Sequence, residues 1–182
     1  MATPEHTGRP LGVSLRPAVP ADARRLKRWR DEWSVRRFQP LHDLSVAQLR
    51  TDVGEQRIRN LYRGRGDKFQ WIVEVEGEPV GWVTLVVSNW EHGLAEVGYA
   101  LTTERQRRGV MGAALGQLLD DLFEHTRLER IEARCATDNT ASQRVLEKLG
   151  FRREGVLRSY FRLHGRRVDN YLYAVLASEW IR

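Results

Sequence analysis

Residues 94–125 read LAEVGYALTTERQRRGVMGAALGQLLDDLFEH, and the order of features inside them decides the fold. LAEVGYAL (94–101) has the composition and period-two alternation of a strand. From Met111 onward, Ala114, Leu115, Leu118, Leu119, Leu122 and Phe123 recur in steps of three and one, a single helical face. Between strand and helix, Arg105, Arg107 and Arg108 crowd in front of Gly109 and Gly112. A strand that passes through a glycine-bearing loop into a helix start is a general anion-binding device. The first helical turn leaves backbone N–H groups unpaired, and its dipole end is positive. Gly109 permits close approach or a positive φ, and Gly112 removes side-chain bulk from the first turn. Such a loop suits a pyrophosphate; read from spacing alone, it equally suits a simple chain reversal with solvated arginines.

Two phosphate-loop alternatives are excluded, since no Gly-Lys-Ser/Thr follows and G-x-G-x-x-G is absent. Nucleic acid is the weaker reading of the arginines. A binding stripe would continue along the helix or interleave aromatics, whereas this helix carries Asp120, Asp121 and Glu124.

Working outward, GVSLRPA (12–18) predicts a short strand stopped at Pro17. ADARRLKRWRDEW (21–33) predicts a helix opened by Pro20 and Asp22, and a second helix is expected from Ser45 to about Leu61. FQWIVEV (69–75) and VGWVTLVV (80–87) flank EGEP as a hairpin. RIEARCA (130–136) is a strand, and TASQRVLEKLG a helix ended by Gly150. The segment from Phe151 alternates like two strands around His164-Gly165. The fold class is therefore mixed α/β (α+β), with helices inserted into a mostly antiparallel sheet. Residues 1–11, polar and broken by Pro4 and Pro10, are expected to be a flexible tail, and residues 12–182 one domain.

The 182 residues are 41% hydrophobic and 30% charged, ordinary for a soluble domain with its own core. Thirty basic against 24 acidic side chains give +6, which weakly favours an anionic partner. Cys135 stands alone, so no internal disulfide is expected, and none of the five histidines shows metal-ligand spacing. No apolar run approaches the ~20 residues of a bilayer span and the N-terminus lacks a signal-peptide core. The default expectation is cytoplasmic, with no membrane, nucleic-acid or metal partner. Oligomeric state, a homodimer included, is left open by one chain.

Gln106-x-x-Gly109-x-Met111 after that strand resembles the acetyl-CoA signature of the GNAT N-acetyltransferases. NTASQRVLEKLGFRREG (139–155) is similar to the second motif of that superfamily in its RimJ/RimL-type branch, and residues 13–182 follow the branch throughout. The resemblance implies the GNAT fold, a twisted sheet with flanking helices and a splayed acetyl-CoA cleft. It implies that backbone amides of Arg107, Arg108, Gly109, Val110, Met111 and Gly112 hold the pyrophosphate, beside Gln106. The strand end at Tyr99 and Leu101 would pair with the pantetheine arm. Met111 stands where the family has Gly or Ala, which is tolerable if its side chain points into the core.

Transfer of an acetyl group from a thioester to an amine needs a neutral amine, aligned reactants, a stabilised oxyanion and a proton for the leaving thiolate. Cys135, in an apolar strand pattern, reads as core rather than nucleophile. Glu96 shares a strand face with Gly98 and Ala100, where small neighbours leave room for a ligand; a solvent-facing residue fits the pattern as well. The resemblance favours Glu96 as the base. It places Leu146 where many relatives carry an acidic tyrosine, and Phe161 where some carry a glutamate. Asn139 and Ser142 match the branch's Asn-x-x-Ser, implying a pantetheine contact for Asn139 and a proton or a sulfur contact from Ser142; both also suit helix capping. Tyr160 is a further candidate acid. For the acceptor, the resemblance points to Trp29, Trp33, Arg36, Arg37 and Phe38, with Trp90 from the neighbouring loop. The expected activity is acetyl transfer to a primary amine, a protein N-terminus before a small amine such as a polyamine or aminoglycoside. A non-catalytic acyl-CoA-binding protein is the reading from another class.

Overall fold

The computed structural model describes residues 12–181; the expected tail at 1–11 lies outside the described residues. Seven strands form one sheet in the order β1-β2-β3-β4-β5-β7-β6. They are β1 (Val13–Pro17), β2 (Lys68–Val75), β3 (Glu78–Asn89), β4 (Leu94–Leu101), β5 (Arg130–Ala136), β6 (Arg152–Leu163) and β7 (Arg166–Leu176). Every neighbouring pair is antiparallel except β4–β5. That parallel pair requires a crossover, and the helix α5 (Val110–His125) supplies it. The two hairpins turn where glycine follows a residue able to take positive φ: Glu76-Gly77 and His164-Gly165.

Each face of the sheet buries its own core. On one face α5 sets Ala114, Leu115, Leu118, Leu119 and Leu122 against Val83, Leu85, Val97 and Ile131. The helix α6 (Thr140–Lys148) adds Leu146 to this core. On the other face α1 (Ala23–Asp31) and α3 (Val46–Glu55) pack Leu26, Trp29, Leu49 and Val53 on Ile72, Trp82 and Ala100. The period-two alternation of β4 sends Val97 to the first core and Ala100 to the second.

Two of the expected helices are broken. The first ends at Asp31 because Glu32 is extended (φ −60°, ψ 131°), and a one-turn helix α2 (Trp33–Arg36) follows. The second ends at Glu55, and α4 (Ile58–Leu61) resumes after Gln56 and Arg57. Gln56 leaves the helix to bond the backbone where β1 departs from β2. Its Nε2 donates to Ala18 O at 2.6 Å and its Oε1 accepts from Gln70 N–H at 2.8 Å. A buried backbone group left unpaired costs more than one helical bond.

Candidate active site

The sheet opens in the middle. β4 and β5 pair through Leu94↔Arg130, Ala95↔Ile131 and Glu96↔Glu132 and then diverge. β4 stays bonded to β3 as far as Leu101, and β5 to β7 as far as Ala136, so a wedge opens between residues 97–101 and 133–136. Thr102 N–H donates to Val80 O at 2.9 Å, which sets the ladder alternation. Tyr99 and Leu101 therefore turn their backbone groups away from β3, into the wedge. Two carboxamides already reach those carbonyls: Gln39 Nε2 donates to Tyr99 O (2.7 Å) and Gln106 Nε2 to Leu101 O (3.1 Å).

The loop at the wide end of the wedge forms an anion cradle. Arg107 (φ 61°) and Gly109 (φ 77°) both take the left-handed conformation before α5 begins at Val110. Ala113 N–H makes the bond to Gly109 O, so the amides of Val110, Met111 and Gly112 precede the first intrahelical bond. The space beside Gly112 and Gly109 is open to at least 4 Å from where a Cβ would stand. Val110 and Met111 are buried, so Met111 spends its side chain on the core and offers only its backbone. Arg107 and Arg108 are exposed beside the cradle.

Glu96 sits at the apex, the last residue of β4 with a partner in β5. Arg134, two residues past Glu132 on the same face, reaches back across the opening. Its Nη1 lies 2.6 Å from Glu96 Oε2, with both side chains about one-third exposed. Burial pushes the Glu96 carboxyl above its ordinary range, the Arg134 charge pulls it back, and Glu132 adds a further push. The Arg134 guanidinium also lies over the Tyr160 ring, 5.3 Å from its centroid.

Across the wedge, Asn139 caps α6 by accepting Ser142 N–H at Oδ1 (3.2 Å). The Ser142 hydroxyl is not consumed by capping; it lies 2.8 Å from the Tyr99 hydroxyl. Burial pushes the Tyr99 phenol well up, so it stays protonated and able to donate. Leu146 lies fully buried in the core. Sequence reasoning misses the side chain of Tyr99, because only the strand's alternation combined with the position of α6 brings it to Ser142. Cys135 is buried beside them, its thiol pushed up to about 11 by burial. It is no thiolate nucleophile near neutral pH.

Comparison with known proteins meets this geometry directly. The acetyltransferase (GNAT) domain family matches residues 13–152. The chain belongs to the GNAT family. It is 34% identical over 136 residues to the uncharacterized N-acetyltransferase p20 of Bacillus licheniformis, spanning 74% of this chain and 75% of that one. Among solved structures it is similar to Mycobacterium smegmatis RimJ in complex with CoA-disulfide, with 30% identity and a TM-score of 0.80. That match covers 95% of this chain and 86% of the other. The spermidine N-acetyltransferase of Vibrio cholerae, in complex with CoA and spermine, shares the fold at a TM-score of 0.80 and 22% identity, over 93% and 98% of the two chains. The protein is an acetyl-CoA-dependent N-acetyltransferase of RimJ/RimL-like type. The cradle fits that co-substrate: free amides at a helix start, positive φ ahead of them and open space beside the glycines.

In this GNAT frame the acceptor candidates separate. Trp29 is buried, stacked on Trp82 with centroids 6.3 Å apart, so it is a core residue rather than an acceptor wall. Trp90 lies in the β3–β4 connection, at the end where β4 and β5 are still paired, opposite the wedge. Its Nε1 donates to Gly66 O at 2.6 Å. Both are corrections to the expected acceptor set, and topology is the reason in each case. Trp33 is 64% exposed and packs at a tilt against His164, with ring centroids 4.7 Å apart, while Arg37 lies over Phe38. α2 is held at both ends of the gap: Ser34 Oγ meets Thr103 Oγ1 at 2.8 Å, and His164 Nε2 approaches Arg36 O at 3.3 Å. It spans from the β4 end to the tip of the β6–β7 hairpin, over the acceptor side of the wedge.

Proposed function

We propose that this enzyme acetylates the α-amine at a protein N-terminus by direct transfer, with Glu96 as the base and Ser142 at the departing sulfur. The observation that carries the reading is the guanidinium of Arg134 on Glu96. Burial raises the Glu96 carboxyl and the Arg134 charge opposes that rise. An α-amine of pKa ~8 is already about one-tenth neutral at pH 7, so a modest base suffices. A lysine amine near 10.4 asks for about 4 kcal/mol at pH ~7.4, at ~1.36 kcal/mol per unit. The similarity to the putative ribosomal N-acetyltransferase YdaF of Bacillus subtilis, 30% identical over 105 residues, supports a protein acceptor.

In this mechanism Glu96 receives the proton lost by the ammonium, and the neutral amine adds to the thioester carbonyl. Collapse of the tetrahedral adduct breaks the C–S bond, and the second proton on nitrogen replaces the one that the Ser142 hydroxyl gives to the leaving sulfur. The Ser142 hydroxyl donates to the leaving sulfur, backed by Tyr99 O–H at 2.8 Å. Backbone N–H groups of β4 that face the wedge are the available donors for the oxyanion. Gly109 to Gly112 hold the pyrophosphate, and Asn139 lies at the α6 start where the pantetheine amide would pass. We place the reaction in the cytoplasm, where a lone reduced cysteine is ordinary.

A polyamine acceptor would need free carboxylates on the cleft walls. Asp31 is neutralised by Lys27, and the remaining charges, on Glu32 and Asp169, are held by Thr103 and Ser159 N–H. Arg37, Arg158 and Arg166, which pair with no carboxylate among the described residues, lie in the same region. The test is thiol release from acetyl-CoA over a peptide library with varied first residues, run beside spermidine and other small amines. Mass mapping then locates the acetyl group. Acetylation of peptides at the α-amine is expected. Turnover confined to small amines or to lysine side chains would overturn the reading.

A further inference from the structure

Beyond the reacting amine, the acceptor side of the wedge has a definite chemistry. Period two on β7 puts Arg166, Val168, Asn170 and Leu172 on one face, and Leu172 pairs with Arg134. Arg166 therefore shares the face of Arg134 and Glu96. β6 bulges between Leu157 and Phe161, with Ser159 at φ 53°. The bulge borders an open depression of about 770 Å³ lined by Val156, Leu157, Arg158, Tyr160 and Asp169. Tyr160 forms its inner wall and lies under Arg134, which holds Glu96, so the depression adjoins the apex of the wedge. Trp33 packs at a tilt against His164 at the hairpin tip, with Arg37 at the end of the same helix.

The charges on this rim are unbalanced. Among the described residues, Arg37, Arg158 and Arg166 pair with no carboxylate, and all three are exposed. Of the nearby acids, Asp31 is paired with Lys27, while Glu32 and Asp169 accept hydrogen bonds from Thr103 and Ser159 N–H and keep their charge, so the three unpaired arginines outnumber them. Exposed apolar surface lies among the arginines: Trp33 at 64%, Val156 at 51% and Tyr160 at 36%. A rim with more unpaired arginines than acids, and with aromatic anchors, favours an acidic, partly apolar polypeptide over a basic one.

The geometry points to a docking surface for an acidic stretch of the acceptor polypeptide, just downstream of the amine that is acetylated. It rests on the peptide-acceptor reading above and names the class of peptide. The chain enters with its amine at Glu96, crosses Tyr160, and lays its carboxylates beside Arg158, Arg166 and Arg37.

The test uses two peptides with the same first three residues, one continuing with Asp and Glu, the other with Arg, so that no second amine is added. At low ionic strength kcat/KM for the acidic peptide is expected to exceed that for the basic one by about tenfold or more. The gap should shrink when salt is raised to about 0.3 M, where screening reaches only several ångströms. The double variant Arg158→Glu, Arg166→Glu is expected to reverse the preference, and the ratio of the two peptides is read so that a general loss of activity cancels. Thermal stabilisation by acetyl-CoA checks that the variant is folded. Equal kcat/KM for the two peptides, or a preference that survives the double reversal, would overturn the docking surface. Turnover of small amines with neither peptide acetylated would overturn the peptide-acceptor reading instead.

Discussion

Among the carboxylates held by arginine in this fold, Asp22 and Glu96 stand in opposite situations. Asp22, ahead of α1, is 2% exposed and fully engaged: Arg16 binds both its oxygens at 2.7 and 2.9 Å, Arg25 binds at 2.8 Å, and Val19 N–H donates at 3.0 Å. Burial opposes its ionisation, but those donors outweigh burial and hold Asp22 below the ordinary carboxylate range. Glu96 has a single guanidinium and is raised. The first carboxylate is satisfied and serves stability. The second keeps free lone pairs at the apex of the wedge, which is what proton transfer requires.

The sign of the pH linkage differs accordingly. For Asp22 the folded value lies below the unfolded one, so its stabilisation is present above about pH 4 and is lost as pH falls through the folded value. For Glu96 the folded value lies above the unfolded one, so ionisation of this group opposes folding and its contribution improves as pH falls. Function and stability should then separate on substitution. Glu96→Gln is expected to lower kcat/KM by about 10²–10³-fold with little change in the urea midpoint. Asp22→Ala should do the reverse. Losing a buried partner costs about 3–5 kcal/mol, reduced here to about 2–3 because Arg16 and Arg25 are one-third exposed and reach water. Urea unfolding near pH 7 measures that loss, and the gap between Asp22→Asn and the unaltered protein should narrow below about pH 4.

Smaller effects test the opposite wall and the cradle. Ser142→Ala is expected to lower kcat about tenfold, leaving the affinity for acetyl-CoA nearly unchanged in a binding titration. Gly109→Ala places a side chain at φ 77° and should cost about 1 kcal/mol of stability, with a several-fold rise in KM for acetyl-CoA. A Gly109→Ala protein with unaltered KM would argue that the pyrophosphate is held elsewhere.

Features under local control are legible in the amino-acid sequence. β4 and β5 begin and end where their alternation says, and α5 follows its stripe from Val110 to His125. The glycine cradle and the inward-pointing Met111 follow from the same stripe. Features that depend on which strands become neighbours are not legible in this way. The Arg134–Glu96 pair exists because the parallel register sets Glu96 beside Glu132 and then stops, and neither segment carries that information alone. Trp29 and Trp90 look alike in composition to Trp33, but one faces Trp82 in the core and the other sits at the closed end of the wedge. The helix break at Glu32 has no proline or glycine beside it, and at Gln56 only Gly54 hints at one; the partners of those side chains lie far along the chain, at Thr103 and Gln70.

The most direct measurement is the pH dependence of kcat/KM for Glu96→Gln beside the unaltered enzyme, on one peptide acceptor. The unaltered enzyme should lose activity at low pH along two limbs, one for the peptide's α-amine near pKa ~8 and one for a carboxyl above its ordinary range. The variant should retain the amine limb alone, at a rate lowered throughout. An unchanged profile and rate in Glu96→Gln would contradict Glu96 as the base and would assign the proton transfer to another group.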